Sequence, residues 1–555
     1  MAKNKPGPNL PKSLLDRHDE VEVPYLIVRQ TRVLQHFKLR LSLQNQLVIV
    51  LIAVAVASHL PFLMSGPFFS DEAIYTYAGY AILRGTVPYA GITLPQPPLG
   101  YLLLAGEVGI TNASLLLVRE INFLIYLVGV IFVFRVLERI SGRPITSFAG
   151  TLIFILFPPM LSYSFSAPLE FTYFVTLVFA ALYFGLSDRR LCLFGSGIFS
   201  GLAIMVWYPG LLVLFALLGY LMTSRFVENV PWSKVLKKVG FVLSGLTVVL
   251  LGTLGVIALY WKAYPQFLSQ SLGLQTSVRA GFSIAEKSYF ITAYLQVFSP
   301  LVFLGSIGGL LAVLNAAYKR HLEELFLVFW FVIIFTLLVI VPKVLFPHYF
   351  WFLTPVLAYL AARPVVELTS ALRRRLSIVK LIALLLLPVA VSVLVYSGAS
   401  NYSTGPFSNS SFTADEQYVG HYVASITTVN QLIWTSEPSI AFYANRLIIP
   451  PNSTLWKLQG FFDDVFNTTF TDTAGFQHQG SNLVSPIQFE QSWDTKVRVL
   501  IFIRGSGPIP YPDAVLWNGT SAMPGVSGWV ASHYSRVALL TFGGNPYAYE
   551  VWERS

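Results

Sequence analysis

The chain has a single cysteine, Cys192, in 555 residues. One thiol cannot form an internal disulfide or anchor a cysteine-based metal site. Charge is also scarce. Only 12% of residues are Asp, Glu, Lys or Arg, about half the usual share for a soluble protein. The phosphate-cradling pattern GxxxxGK[ST] is missing, and no GxGxxG follows a predicted strand, so nucleotide-binding loops are not expected. No His pair has ligand spacing, and the acids are scattered, so no metal is expected either. There is no internal repeat of the kind that marks inverted-repeat transporters.

What the chain has is apolar length. Hydrophobic residues make up 55%, and mean hydropathy is +0.63. Many runs reach the roughly 18–20 residues that cross a bilayer. The sequence predicts a mainly α, polytopic membrane bundle of about eleven helices. They fall near 44–64, 113–134, 145–162, 170–187, 191–208, 209–224, 240–261, 293–316, 324–341, 348–362 and 378–397. Residues 1–43 read as a polar, basic cytoplasmic tail ahead of a signal-anchor helix. The excess of 37 Lys and Arg over 27 Asp and Glu does not imply nucleic acid, because the basic residues lie in short loops between apolar runs. With the N-terminus inside, 24 of the 37 fall on the inner side, so the positive-inside bias predicts N-terminus in and C-terminus out. The expected organisation is a tail at 1–43, a membrane body at 44–397 with a first outer loop at 65–112, and an extracytoplasmic soluble domain at 398–555.

From about residue 398 the composition turns to Ser, Thr, Asn, Gly and Pro. "TADEQYVGHYVASI" and "EPSIAFYANR" read as helices, while "QLIWT", "KVRVLIFI" and "RVALLTF" read as strands of a small α/β domain. Five Asn-x-Ser/Thr sequons, at Asn401, Asn409, Asn452, Asn467 and Asn518, suit a surface outside the membrane.

Residues able to do chemistry collect on the predicted outer side. Asp71 and Glu72 open "SDEAIYTYAGYAILRGTVPY", just past the first span. Carboxylates there could simply complement a helix dipole, with Ser70 as N-cap. The stiff "PQPPLGYLLL" that follows returns the chain to the membrane in a shaped way that a solvated cap does not need. Arg119 and Glu120 stand in the outer half of an apolar run, where charge is costly; they read as an internal ion pair or as an arginine aimed at an anion. Glu170 follows "FPPMLSYSFSAPL", as a helix cap or as a second acid facing Asp71. Lys343, His348 and Tyr349 occur in "VPKVLFPHYFWFLTP", and Arg279 lies in the second long outer loop. Basic groups beside an outer cavity suit a phosphate headgroup, and apolar helices around it suit a lipid tail.

Taken in order, "SDEAIYTYAGYAILRGTVPY", "PQPPLGYLLL", "LVREINFLIYLVGV", "FPPMLSYSFSAPLE" and "PKVLFPHYFWFLTPVLAYLAA" resemble the GT-C-type membrane glycosyltransferases, the superfamily of protein O-mannosyltransferases and aminoarabinose transferases. These elements cover most of 70–365. The resemblance implies a polyprenyl (dolichyl) phosphate sugar as donor, a lipid or protein acceptor outside the membrane, and Asp71 as the catalytic acid of the pair, with Glu72 beside it. Asp71 to Arg84 reads as a helix with Ile74, Tyr77 and Ala81 on one face at helical spacing, an amphipathic helix expected to lie along the membrane surface. The phosphate would meet Arg119, Arg279, Lys343, His348 and Tyr349. The aminoarabinose branch holds a metal between an acid ahead of its Lys-Pro-Pro segment and a later His. The matching places here read Pro95–Gln96 and Leu274–Gln275, so no metal is expected. A Lys that the family often has after the fifth helix is replaced by "VWYPG", Val206 to Gly210. No insert large enough for a β-trefoil is present, and no Trp-Trp-Asp signature of asparagine-directed transferases. A lipid-linked-sugar transporter or an outward-facing binding protein is the competing class.

Overall fold

The computed structural model describes residues 42–65, 70–92, 94–166, 168–227, 230–271, 284–319, 323–340, 347–372, 413–448 and 497–505, with shorter pieces at 469–471, 477–479, 517 and 519–520, and then 523–542 and 547–555. Contacts divide the chain into Met1–Leu47 and Val48–Ser555; the first contributes only the opening of helix α1 to the described residues.

Helices α1 to α10 span Leu43–Ser65, Ser70–Leu83, Pro98–Ile110, Leu115–Ser141, Pro144–Ile155, Pro158–Ser166, Phe174–Gly185, Arg190–Val206, Gly210–Val227 and Trp232–Gly255. Helices α11 to α15 are Tyr264–Phe267, Ile284–Val297, Ser299–Lys319, Glu323–Ile340 and Thr354–Leu372. Ten of the eleven predicted runs coincide with apolar helices; the run at 378–397 lies outside the described residues. Five of these helices are long and apolar enough to span a bilayer, and shorter apolar helices stand among them. The chain is an integral membrane protein with a polytopic helical body.

Local chemistry sets the boundaries. α4 starts after Ser114, in extended backbone, and stops at Gly142, whose φ of 65° is the left-handed conformation glycine adopts without strain. α3 and α5 begin at prolines, whose fixed φ suits the first helical turn. Close helix contact needs small residues. A side chain at Gly197 would strike the backbone of Val242, and one at Gly245 that of Phe194, so this reciprocal pair sets the approach of α8 to α10.

The C-terminal region carries α16 (Thr413–Ile426), β1 (Leu432–Thr435), α17 (Pro438–Ala444), β2 (Val497–Gly505), α18 (Ser527–His533), β3 (Tyr534–Thr541) and β4 (Tyr547–Arg554). The sheet runs β1-β2-β4-β3, with β1 and β2 parallel and the other pairs antiparallel. The three predicted strands and two predicted helices are all present; β4 and α18 are additions. Short extended pairs join Thr469–Thr471 to Gln477–Gln479 and Gly519–Thr520 to Met523–Pro524. Of the five sequon asparagines, all lie outside the described residues.

Candidate active site

Two helix starts build the centre of the site. Asp71 and Glu72 lie in the first turn of α2, and Arg119 lies in the second turn of α4. Arg119 Nε donates to Glu72 Oε1 at 2.7 Å and Nη2 donates to Oε2 at 2.8 Å. Both side chains are buried, and the guanidinium sits 5.7 Å from the centre of the Phe165 ring. A bidentate, charge-assisted pair of this kind fixes geometry as well as charge. The internal pair considered for Arg119 and Glu120 does not form: Glu120 is exposed, and the partner of Arg119 comes from α2, 47 residues earlier. Glu72 is therefore already engaged. Asp71 keeps its place in the turn; its side chain lies outside the described set.

α2 is packed by other parts of the chain on most of its sides. Glu72, Ala73, Tyr75, Thr76, Tyr77, Ala78, Tyr80 and Ala81 are all buried, which leaves no continuous solvated or lipid face. One reason is α3, which crosses so closely that a side chain on Gly79 would meet the backbone between Leu104 and Ala105. The other is α17. The Tyr77 hydroxyl accepts the backbone N–H of Ile448 at 2.8 Å, and Tyr80 meets Phe442 edge to face with ring centres 6.3 Å apart. The C-terminal region is thereby seated on the helix that carries the acidic pair. Tyr443, next to Phe442, is half-buried. Burial first and the Glu72 carboxylate second push its hydroxyl pKa up, Arg119 opposing, so Tyr443 is a neutral phenol within electrostatic reach of the buried pair.

The remaining wall comes from the segment around Glu170. Pro168–Tyr173 forms a π-helical turn between α6 and α7, a distortion frequent at functional sites. Thr172 Oγ1 donates to the Ser164 carbonyl at 2.7 Å, and the Tyr173 hydroxyl donates to Glu107 Oε1 on α3 at 2.5 Å. Gly100, at the start of α3, lies against Leu169. These contacts place the backbone of Glu170 beside α3; its side chain is not among those described. Farther round, Tyr349 in the 3-10 turn Pro347–Leu353 is buried, with its ring 5.2 Å from Trp207. Trp207 in turn packs edge-on against Phe174 and Phe352. The backbone of His348 shares that turn, while Lys343 and Arg279 lie outside the described residues.

The structure thus brings Glu72 and Arg119 into contact and sets Tyr349 in an aromatic wall. Glu107, Gln270 and Tyr443 are parts of the surroundings that the sequence did not single out. Each is an ordinary residue type whose link to the site reaches 66 or more positions along the chain, so no local spacing marks it. Among the described residues, no group of three or more His, Cys, Asp or Glu side chains is placed to hold a metal ion.

A family model described as dolichyl-phosphate-mannose-protein mannosyltransferase matches residues 95–261. No curated protein matches the chain in sequence. Among solved structures, ArnT from Cupriavidus metallidurans bound to undecaprenyl phosphate is similar, with a TM-score of 0.59 at 14% identity, covering 92% of this chain and 98% of that one. The same protein in its apo state gives 0.58 at 14% identity and the same coverage. The archaeal oligosaccharyltransferase AglB from Archaeoglobus fulgidus, solved with an inhibitory peptide and a dolichol-phosphate, gives 0.48 at 12% identity, covering 82% of this chain and 69% of that one. The chain is similar to the GT-C-type membrane glycosyltransferases, and it shares the fold of the ArnT structures over 92% of its length.

Proposed function

We propose that the protein is a membrane glycosyltransferase that moves a sugar from a polyprenyl-phosphate donor to an extracytoplasmic acceptor. The observation that carries this reading is the buried Glu72–Arg119 pair immediately beside Asp71, in a bundle similar to that of ArnT bound to undecaprenyl phosphate. The pair anchors the first turn of α2 to α4 and leaves Asp71 as the acid of the dipeptide available for proton transfer.

In this reading the acceptor nucleophile gives its proton to the Asp71 carboxylate as it attacks the anomeric carbon of the sugar. The bond from that carbon to the phosphate oxygen breaks, and the polyprenyl phosphate leaves with both bonding electrons. In-line displacement inverts the anomeric configuration. Charge on the leaving phosphate is stabilised by Arg279, Lys343 and His348, with Tyr349 in the wall and Arg119 behind Glu72. Glu170 serves as a second acid across the cavity, and no metal takes part. Residues 44–397 supply the donor site, with the catalytic loop at 65–112. Residues 398–555 roof it from outside, and residues 1–43 face the cytoplasm.

The test is a transfer assay on purified protein in lipid nanodiscs, using a panel of radiolabelled polyprenyl-phosphate sugars with lipid, glycan and peptide acceptors. Release of polyprenyl phosphate coupled to labelled acceptor supports the reading. Binding or flipping of the lipid-linked sugar with no transfer to any acceptor assigns the protein to the transporter or binding class instead.

A further inference from the structure

A second long-range contact holds the outer end together, and it depends on one neutral side chain. Gln270 follows α11, in the outer segment that leads away from α10. It is 2% exposed. Its Oε1 accepts the backbone N–H of Leu94 at 3.1 Å, and its Nε2 donates to the backbone carbonyl of Tyr89 at 2.7 Å. Both partners belong to the first outer loop, 176 and 181 residues away. Both ends of one carboxamide are thus spent on the backbone of another segment. That loop is not relaxed: Tyr89 has φ of 64°, a left-handed conformation costly for a residue with a side chain and kept only where its surroundings enforce it. The surroundings are specific. The Tyr89 hydroxyl donates to the Gln96 carbonyl at 2.9 Å, and the Phe267 ring stands edge-on to Tyr89 at 5.1 Å.

The clasp joins the two halves of the proposed site. On one side, the loop from Tyr89 to Pro97 connects α2, with Asp71 and Glu72, to α3, which packs on the turn carrying Glu170. On the other, Ser271 hydrogen-bonds the hydroxyl of Tyr208, next to Trp207, whose ring contacts Tyr349. Arg279 lies eight positions beyond Ser271 in sequence.

We propose that Gln270 is a positioning residue of the transferase site, a clasp that fixes the acid-bearing elements relative to the aromatic and basic wall. This rests on the transferase reading above. The proposal has a distinctive chemical consequence. A protonated glutamic acid presents the same pattern as the carboxamide, one carbonyl acceptor for Leu94 N–H and one donor for Tyr89 C=O. An ionised glutamate has only acceptors and repels the Tyr89 carbonyl. Burial raises the pKa of such a carboxyl, so the clasp of Gln270→Glu is intact at acid pH and lost as pH rises through that value.

The experiment compares full-length wild type, Gln270→Met and Gln270→Glu for turnover across about pH 5 to 9, for thermal stability, and for amide exchange of the Tyr89–Leu94 segment. Gln270→Met, similar in volume but unable to make either bond, is expected to lose turnover by about tenfold or more with little change in acceptor KM. Its Leu94 amide exchanges faster while the bundle helices keep their protection. Gln270→Glu approaches wild type at acid pH and loses both turnover and Leu94 protection as pH rises, in a window where wild type is flat. Wild-type exchange in Gln270→Met, loss of protection throughout the chain, or an unchanged pH profile in Gln270→Glu overturns the proposal. If wild type transfers from no polyprenyl-phosphate sugar, the transferase reading fails, and a positioning role in transfer fails with it, while the exchange data still decide whether the clasp exists.

Discussion

The two ends of the bundle each bury arginine against glutamate, and they do so differently. At the end that the charge bias of the sequence reads as inner, Glu324 takes Arg363 Nη1 at 2.8 Å, Arg143 Nε at 3.2 Å and the Tyr359 hydroxyl at 3.0 Å. Glu367 takes Arg143 Nη1 at 2.7 Å and Arg363 Nε at 3.1 Å. Two cations face two anions, and the cluster closes on itself. It ties Arg143, at the entry to α5, to the start of α14 and to α15, which is what a weld between helices requires. The outer end has one arginine and one glutamate in contact, with a second carboxylate, Asp71, next in sequence. Its roof is α17, from more than 300 residues later in the chain. A closed, neutral cluster suits structure; a single anchored pair beside a further acid in sequence, under a docked helix, suits chemistry.

Variants can break that contrast at either end. The largest effect is expected from Asp71→Asn, which removes the proposed base but preserves shape: turnover falls by about 10²–10⁴-fold with thermal stability unchanged. Next is Arg363→Leu at the inner end. Leaving the buried Glu324 short of a cation costs about 3–5 kcal/mol, seen as a large fall in thermal inactivation temperature. Turnover per folded molecule stays within about twofold, because no substrate contact is touched. Glu72→Gln mixes the two behaviours on a smaller scale. It weakens a charge-assisted pair by about 1.5–3 kcal/mol and lowers turnover less than Asp71→Asn does. The smallest effect is expected from Tyr77→Phe, which deprives the Ile448 N–H of its acceptor: about 1 kcal/mol at the seat of α17, read as a higher acceptor KM with donor binding unchanged.

How much of this was legible in the sequence follows from how far each feature reaches along the chain. The apolar runs, the three strands and the helices at "TADEQYVGHYVASI" and "EPSIAFYANR" declare themselves within short windows, and all but the run at 378–397, which lies outside the described residues, are found. The outer acidic pair and Arg119 were also visible, because charge is rare in this composition. Their pairing was not. Glu120 was the nearer acid in sequence, but consecutive residues on a helix point to different sides, and Glu120 faces outward. α2 looked amphipathic because Ile74, Tyr77 and Ala81 recur at helical spacing; its tyrosines are buried by α3 and by a domain whose docking no local pattern encodes. Gln270 shows the same limit. A glutamine in a polar loop carries no signal until the loop it clasps is in place. The long-range half of the site, set by packing between distant segments, is what only the fold supplies.

The most direct test of the account compares Asp71→Asn with Glu324→Gln, both purified full-length, by sugar transfer per folded molecule and by polyprenyl-phosphate binding. The account predicts that Asp71→Asn folds and binds the lipid phosphate as wild type does but transfers little or no sugar, whereas Glu324→Gln loses stability and keeps its turnover. Near-wild-type transfer by Asp71→Asn, with the loss of turnover appearing in Glu324→Gln instead, would contradict it.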